Sequence, residues 1–220
     1  MSERFADRTD AGRRLAAALR NYAGRAEAVV LALPRGGVPV AHEVARGLGL
    51  ALEPFLVRKL GVPGHEELAM GAIASGGARV LNHEVLAGAG LSNREVEDVT
   101  RRELQTLEEN EQKYRGDRPP RALAGMTAIL VDDGLATGAT MRAAIQALRN
   151  LGAAAIVVAV PVAPVQTCAA LRAEVDELVC LNTPQPFTAV GFWYRDFSPV
   201  SDEEVRELLS DQPSSGTASS

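Results

Sequence analysis

The segment Ala128 to Met141, AILVDDGLATGATM, restricts the fold of this chain more than any other stretch. It opens with Ile129, Leu130 and Val131, an aliphatic run that predicts a buried strand. Asp132 and Asp133 follow where that strand should end. A loop of small residues, Gly134 to Thr140, comes next. Met141, Ala144, Ile145 and Leu148 then recur at helical spacing. A strand, an acid pair, a Gly/Thr loop and a helix suit a sugar phosphate. The loop and the helix N-terminus offer backbone N–H groups to an anion, and the helix dipole favours negative charge there. Carboxylates accept hydrogen bonds from hydroxyls, so the acid pair suits a ribose diol or a metal rather than the phosphate. The competing reading is a tight strand-to-helix turn in which glycine only permits close packing. No Lys follows the second glycine, so this is not a Walker loop, and G-x-G-x-x-G is absent.

The rest of the chain alternates in the same way. Ala28 to Leu33, Pro54 to Val57, Thr127 to Val131, Ala155 to Val160 and Leu178 to Leu181 read as strands. Helical patterns, such as Val40, Val44 and Leu48, fall between them. Unbroken apolar strands separated by helices predict an α/β fold, with a mostly parallel sheet covered by helices on both faces. Ligands of such sheets sit at the carboxyl ends of the strands. About seventy residues between Val57 and Thr127 are too many for an empty loop. Ala69 to Ala74 and Ala78 to Leu81 predict a hairpin. Ser92 and Glu95 predict a capping box opening a long helix to about Tyr114, whose Arg and Glu spacing reads as a solvated or dimer face. Thr9 and Asp10 are expected to cap a first helix. We expect one domain over residues 1–210, with a core of about 28–182 and a small hood from the N-terminal and 183–200 segments. A disordered tail is expected at 211–220.

Composition removes several classes of function. The net charge is -5, which does not favour nucleic-acid binding. No apolar run approaches membrane-spanning length, and the first residues are too polar for a signal peptide, so a cytoplasmic protein is expected. Cys168 and Cys180 form no C-x-x-C motif and read as buried free thiols. His42-Glu43 and His83-Glu84 begin like H-E-x-x-H, but Arg46 and Ala87 stand where the second histidine belongs.

Three further segments carry chemistry. Leu33-Pro34-Arg35-Gly36-Gly37 ends the first strand. Its glycines let backbone approach an anion, and Arg35 adds a planar cationic fork, unless the segment is a plain turn with a solvent Arg. Arg58 and Lys59 are read as ending the second strand, where adjacent cations repel and an anion between them offsets that cost. Near the C-terminus, Phe187, Phe192 and Trp193 belong to an aromatic cluster that either stacks a flat base or packs the hood onto the core.

The pattern Val131-Asp132-Asp133, then Thr137-Gly138 and Thr140, resembles the signature of the type I phosphoribosyltransferases. Gly134 stands where an aliphatic residue is more usual. The resemblance implies a fold of that type and transfer of ribose 5-phosphate from 5-phosphoribosyl-1-pyrophosphate (PRPP) to a nitrogenous base, with Mg²⁺ bridging substrate oxygens. It implies catalytic roles for Asp132 and Asp133 on the ribose hydroxyls, directly or through the metal. It implies a 5′-phosphate cup made by Leu135, Ala136, Thr137, Gly138, Ala139 and Thr140. Arg35, Gly36, Gly37, Arg58 and Lys59 would receive the pyrophosphate. Gly61 to Glu67 resembles the mobile lid of the family, without a proton carrier assigned among His65, Glu66 and Glu67. Members that read purines carry a Lys near the strand Ala155 to Val160 and an Asp at the place of Arg195, and this chain has neither. A homo-oligomer is expected. One alternative is a regulator with the same fold that senses PRPP or a nucleotide without turnover, and another is a structural role in an oligomer that merely retains the fold.

Overall fold

The structure, a computed structural model, describes residues 3–116 and 118–211, apart from the side chain of Glu67. The expected tail therefore lies, beyond Asp211, outside the described residues. Five parallel strands form the main sheet, in the order β2 (Ala51–Pro54), β1 (Ala28–Ala32), β6 (Thr127–Val131), β7 (Ala155–Val162) and β8 (Glu177–Asn182). The predicted α/β class is the observed one.

Side chains alternate across β1 because strand neighbours point to opposite faces. Ala28, Val30 and Ala32 join one core with Ile129, Val131 and Val157. That core is covered by α1 (Arg8–Ala18), α2 (Gly37–Leu48) and α7 (Asp202–Ser210) through Leu15, Val44 and Val205. Val29 and Leu31 join the other core with Leu130, Val158 and Val160. There α5 (Ala139–Asn150) and α6 (Val165–Arg172) supply Ile145, Leu148 and Leu171. Each such aliphatic side chain, when fully buried, contributes about 1.5–3 kcal/mol. Two filled faces explain why these strands read as unbroken apolar runs.

The insertion folds as three antiparallel strands, β3 (Val57–Val62), β4 (His65–Ala74) and β5 (Ala78–Leu81). Short α3 (His83–Ala89) and long α4 (Asn93–Arg115) follow. The Ser92/Glu95 capping box is present. The expected hairpin is β4–β5, but β3 extends it. The expected strand Pro54 to Val57 is instead the junction between two sheets, because β2 ends at Pro54 and β3 begins at Val57. The first helix is capped by the Asp7 carboxylate, which accepts from the Asp10 N–H, rather than by Thr9 or Asp10. Cys168 and Cys180 are free thiols; Cys168 is buried as expected, whereas Cys180, on the edge strand β8, is only partly so. No helix among the described residues is long and apolar enough to cross a membrane.

Chain direction reverses its march across the sheet between β1 and β6. From β1 the chain steps to β2 on one side, whereas from β6 it steps through β7 to β8 on the other. Ala32 pairs with Val131, so the loops after β1 and β6 leave the sheet side by side. That junction is where open α/β sheets bind ligands.

Candidate active site

The loop after β6 is tied down at defined points. Leu135 N–H donates to Val162 O at 2.9 Å. Thr167 of α6 donates its hydroxyl to Ala136 O at 2.7 Å. The Thr137 hydroxyl accepts from Ala139 N–H at 3.4 Å, and Arg142 Nη1 donates to Thr137 O at 3.1 Å. The N–H groups of Ala136, Thr137 and Gly138 have no acceptor among the described residues. The first turn of α5 adds its own orphan donors, including Thr140 N–H. Ala136, Thr137, Ala139 and Thr140 are exposed, so this set forms an open cup of donors. Leu135 differs from its neighbours in the loop. It is buried and its N–H is already engaged, so it supports the cup and cannot line it.

Two glycines of the cup have identifiable causes. Gly138 has φ 75°, a left-handed conformation that favours glycine, and a Cβ there would meet Thr167 Cγ2 at 3.0 Å. Substitution at Gly138 would therefore disturb α6 rather than fill the cup. Gly134 has φ 158°, and a Cβ would stand 2.6 Å from Val190 Cγ1 and 3.1 Å from Val162 O. This departure from the family pattern lets the C-terminal segment close against β7.

Asp132 and Asp133 lie at the end of β6, half-buried. Asp133 N–H donates to Asp132 Oδ1 at 2.8 Å. Burial pushes the Asp132 carboxyl well above the usual carboxylate range, with the Asp133 charge adding to it, while the Asp133 N–H and Arg8 oppose. Burial also raises Asp133, against the charge and hydrogen bonds of Arg8. Tyr194 donates its hydroxyl to Asp133 O at 2.6 Å. Arg8 and Tyr194 escaped the motif because they come from opposite ends of the chain.

Gly36 and Gly37 approach an anion, but it is the protein's own. A Cβ on Gly36 would stand 2.1 Å from Asp133 Oδ2, and one on Gly37 would stand 2.8 Å from Val131 O and 3.2 Å from Asp132 Oδ1. On the side a Cβ would take, the two glycines thus seat the acid pair against the loop after β1.

Arg35, Arg58 and Thr140 converge on one cavity of about 160 Å³, together with Asn110 and Tyr114 of α4. Arg58 pairs with Glu103 at 2.6 Å, and Arg35 stands 3.9 Å from Asp202. Tyr114 donates to Asp202 at 2.7 Å. The long helix therefore contributes a wall of the site, contrary to its expectation as a solvated or dimer face only. Arg58 and Lys59 do not end a strand. They lie inside β3, where successive side chains point apart. Lys59 lines a separate groove of about 600 Å³ with Ala139, Arg142 and His83. Arg58 therefore lines the cavity and Lys59 the groove, on different faces of β3.

The aromatic cluster mainly packs the chain ends together. Phe5 and Tyr194 are buried with Val162, and Phe187, Trp193 and Phe197 pack onto them. Phe192 stays 53% exposed, with Arg4 5.0 Å from its ring centroid. Of the expected lid Gly61 to Glu67, Pro63 and Gly64 form the turn between β3 and β4, while Gly61 and Val62 lie in β3 and His65 begins β4. His65 and Glu66 are exposed there, and the Glu67 side chain lies outside the described set.

No cluster of three or more metal-binding side chains exists among the described residues. The acid pair nonetheless suits a hard cation that also takes substrate oxygens. One oxygen of each carboxylate, Asp132 Oδ2 and Asp133 Oδ1, has no hydrogen-bond donor among the described residues.

The model of the phosphoribosyl transferase domain family matches residues 3–194. Two curated Mycobacterium tuberculosis proteins (strains CDC 1551 / Oshkosh and ATCC 25618 / H37Rv) are each named "Putative phosphoribosyl transferase". Each is 49% identical over 205 residues, which cover 93% of this chain. The chain spans about half, 46%, of those relatives' length. The crystal structure of TT1426 from Thermus thermophilus is similar with a TM-score of 0.85 and 44% identity, covering 95% of this chain and 99% of that one. With the family model spanning nearly the whole described chain, and the acid pair and donor cup at the switch point of its sheet, this chain belongs to the phosphoribosyl transferase domain family.

Proposed function

We propose that this chain transfers ribose 5-phosphate from PRPP to a nitrogenous base and releases pyrophosphate. The observation that carries the reading is the convergence of Arg35, Arg58 and Thr140 on one cavity, with the acid pair and the donor cup adjoining it through Gly36 and the loop after β6. An anion at each end of a ribose is what such a layout accommodates.

In this reading the N–H groups of Ala136, Thr137, Gly138 and Thr140 hold the 5′-phosphate, with the hydroxyls of Thr137 and Thr140 beside them. Asp132 and Asp133 accept hydrogen bonds from the ribose hydroxyls. Arg35 and Arg58 receive the pyrophosphate and stabilise charge as it departs from C1. Mg²⁺ would be held by Asp132 and Asp133 together with substrate oxygens, and would supply charge neutralisation to the leaving group. The exposed ring of Phe192 and the terminal segments form the hood on the base side. The protein's work is then positioning and electrostatics, since an oxocarbenium-like centre needs no protein nucleophile. We extend the proposal to an oligomeric enzyme, on the resemblance alone.

Isothermal titration with PRPP and Mg²⁺, followed by pyrophosphate release across a panel of bases, tests the reading. Binding with release on one base supports it. Binding without release on any base supports a sensor of the same ligand, and no binding refutes both.

A further inference from the structure

Arg8 is the first residue of α1 and lies 125 positions from Asp133 in the chain. Its Nε and Nη2 both stand 2.9 Å from Asp133 Oδ2. Its Nη1 donates to Ser198 O at 2.8 Å, and its guanidinium carbon lies 3.9 Å from the Phe197 ring centroid. The side chains of Arg8 and Asp133 are only 11% and 14% exposed. Three separate contacts thus fix one guanidinium. The helix that carries it is also fixed: α1 crosses α2 so closely that a Cβ on Gly12 would stand 2.6 Å from Val40 O. Tyr194, four residues before Ser198, holds the backbone of the same aspartate. Arg8 is therefore built into the site, not draped over it as a displaceable strap.

We propose that Arg8 is a positioning residue for ribose recognition. It clamps Oδ2 of Asp133 to the C-terminal segment and reserves Oδ1 for the diol, so that docking of the two chain ends becomes a condition for reading the sugar. This inference rests on the proposal that Asp133 meets the ribose hydroxyls. It adds a group outside the phosphate motif and links sugar recognition to the assembly of the hood.

The test compares two probes, each with Mg²⁺, on the intact chain. PRPP carries the diol, and pyrophosphate does not. Arg8→Met keeps length and removes charge. PRPP affinity should fall about 10- to 100-fold, the loss expected for a charge-assisted contact, while pyrophosphate affinity stays within about twofold. Arg8→Lys, which keeps the charge but not the planar fork, should recover part of the loss. Millimolar methylguanidinium should restore PRPP binding to Arg8→Ala. Equal weakening toward both probes would overturn the inference, because it would mark a general loss of structure. Unchanged or tighter PRPP binding in Arg8→Met would overturn it as well, because Arg8 would then be idle or competing. If Arg8→Met does not fold, Arg8→Lys decides between the same outcomes. Failure of the unmodified chain to bind PRPP would overturn the parent reading together with this one. Failure confined to the variants would overturn this one alone.

Discussion

Gly36→Ala isolates the seat of the acid pair with little else disturbed. Gly36 has φ -59° and ψ -33°, a conformation open to any L residue. The substitution therefore brings no backbone strain, and it should favour folding by about 0.4–1 kcal/mol through the unfolded chain. The new methyl, however, would begin 2.1 Å from Asp133 Oδ2 and 2.7 Å from Cγ. To reach ordinary contact the carboxylate must retreat by roughly an ångström or more. It cannot do so and keep both 2.9 Å contacts to Arg8. Losing a hydrogen bond to a charged group costs about 1.5–3 kcal/mol, so net stability should drop by about 1–2 kcal/mol. For a chain of this size that lowers Tm by about 2–8 °C. In the proposed function the same displacement takes the diol acceptor from its place, and PRPP affinity should fall about tenfold or more. Calorimetric titration on the folded variant, with a thermal melt alongside, reads both numbers. Unchanged PRPP affinity with a preserved fold would refute the reasoning that the glycine exists to seat Asp133. Gly37→Ala is the contrast. Its methyl would meet the Val131 carbonyl, a backbone atom, so stability should suffer first.

Three other outcomes follow from the same geometry. Thr167→Val removes the hydroxyl bonded to Ala136 O, and phosphate or PRPP affinity should weaken several-fold at a stability cost of about 1 kcal/mol, read by titration and chemical denaturation. Arg58→Ala should weaken pyrophosphate binding far more than Lys59→Ala, measured by competition with PRPP; equal effects would mean that both cations reach one anion. All three tyrosines should titrate late in the folded protein. Burial, reinforced by Glu177 and Asp202 respectively, pushes Tyr22 and Tyr114 up to about 12, and burial with the nearby Asp133 charge raises Tyr194 too. A phenol whose folded pKa is raised binds its proton more tightly in the folded state. Its stabilisation is thus complete below about pH 10 and is lost as pH rises toward 12. Ultraviolet titration should show little phenolate at pH 10.5 until denaturant is added.

What the sequence made legible follows from the range over which each signal acts. The strands of the main sheet were readable because both faces are buried, which leaves continuous apolar runs such as Val29 to Leu31. The cup was readable because strand, loop and helix are contiguous in the chain. The capping box was readable because its partners lie three residues apart. The failures are all matters of direction or distance. Arg58 and Lys59 look like one cationic site until β3 sends them to opposite faces. Leu135 looks like part of a donor loop until its N–H reaches across to Val162. Gly36 looks like room for a ligand, and on its Cβ side that room holds Asp133. Arg8, Tyr194, Asn110 and Tyr114 carry no local pattern, since each meets the site only after remote segments pack together.

The central claim is that the acid pair and the donor cup bind the ribose 5-phosphate moiety of PRPP. Titration of PRPP with Mg²⁺ into the unmodified chain and into Asp133→Asn tests it most directly. The account predicts saturable binding to the first and affinity lower by about 10- to 100-fold in the second, with the fold retained by circular dichroism. Equal affinity in the two proteins would contradict it.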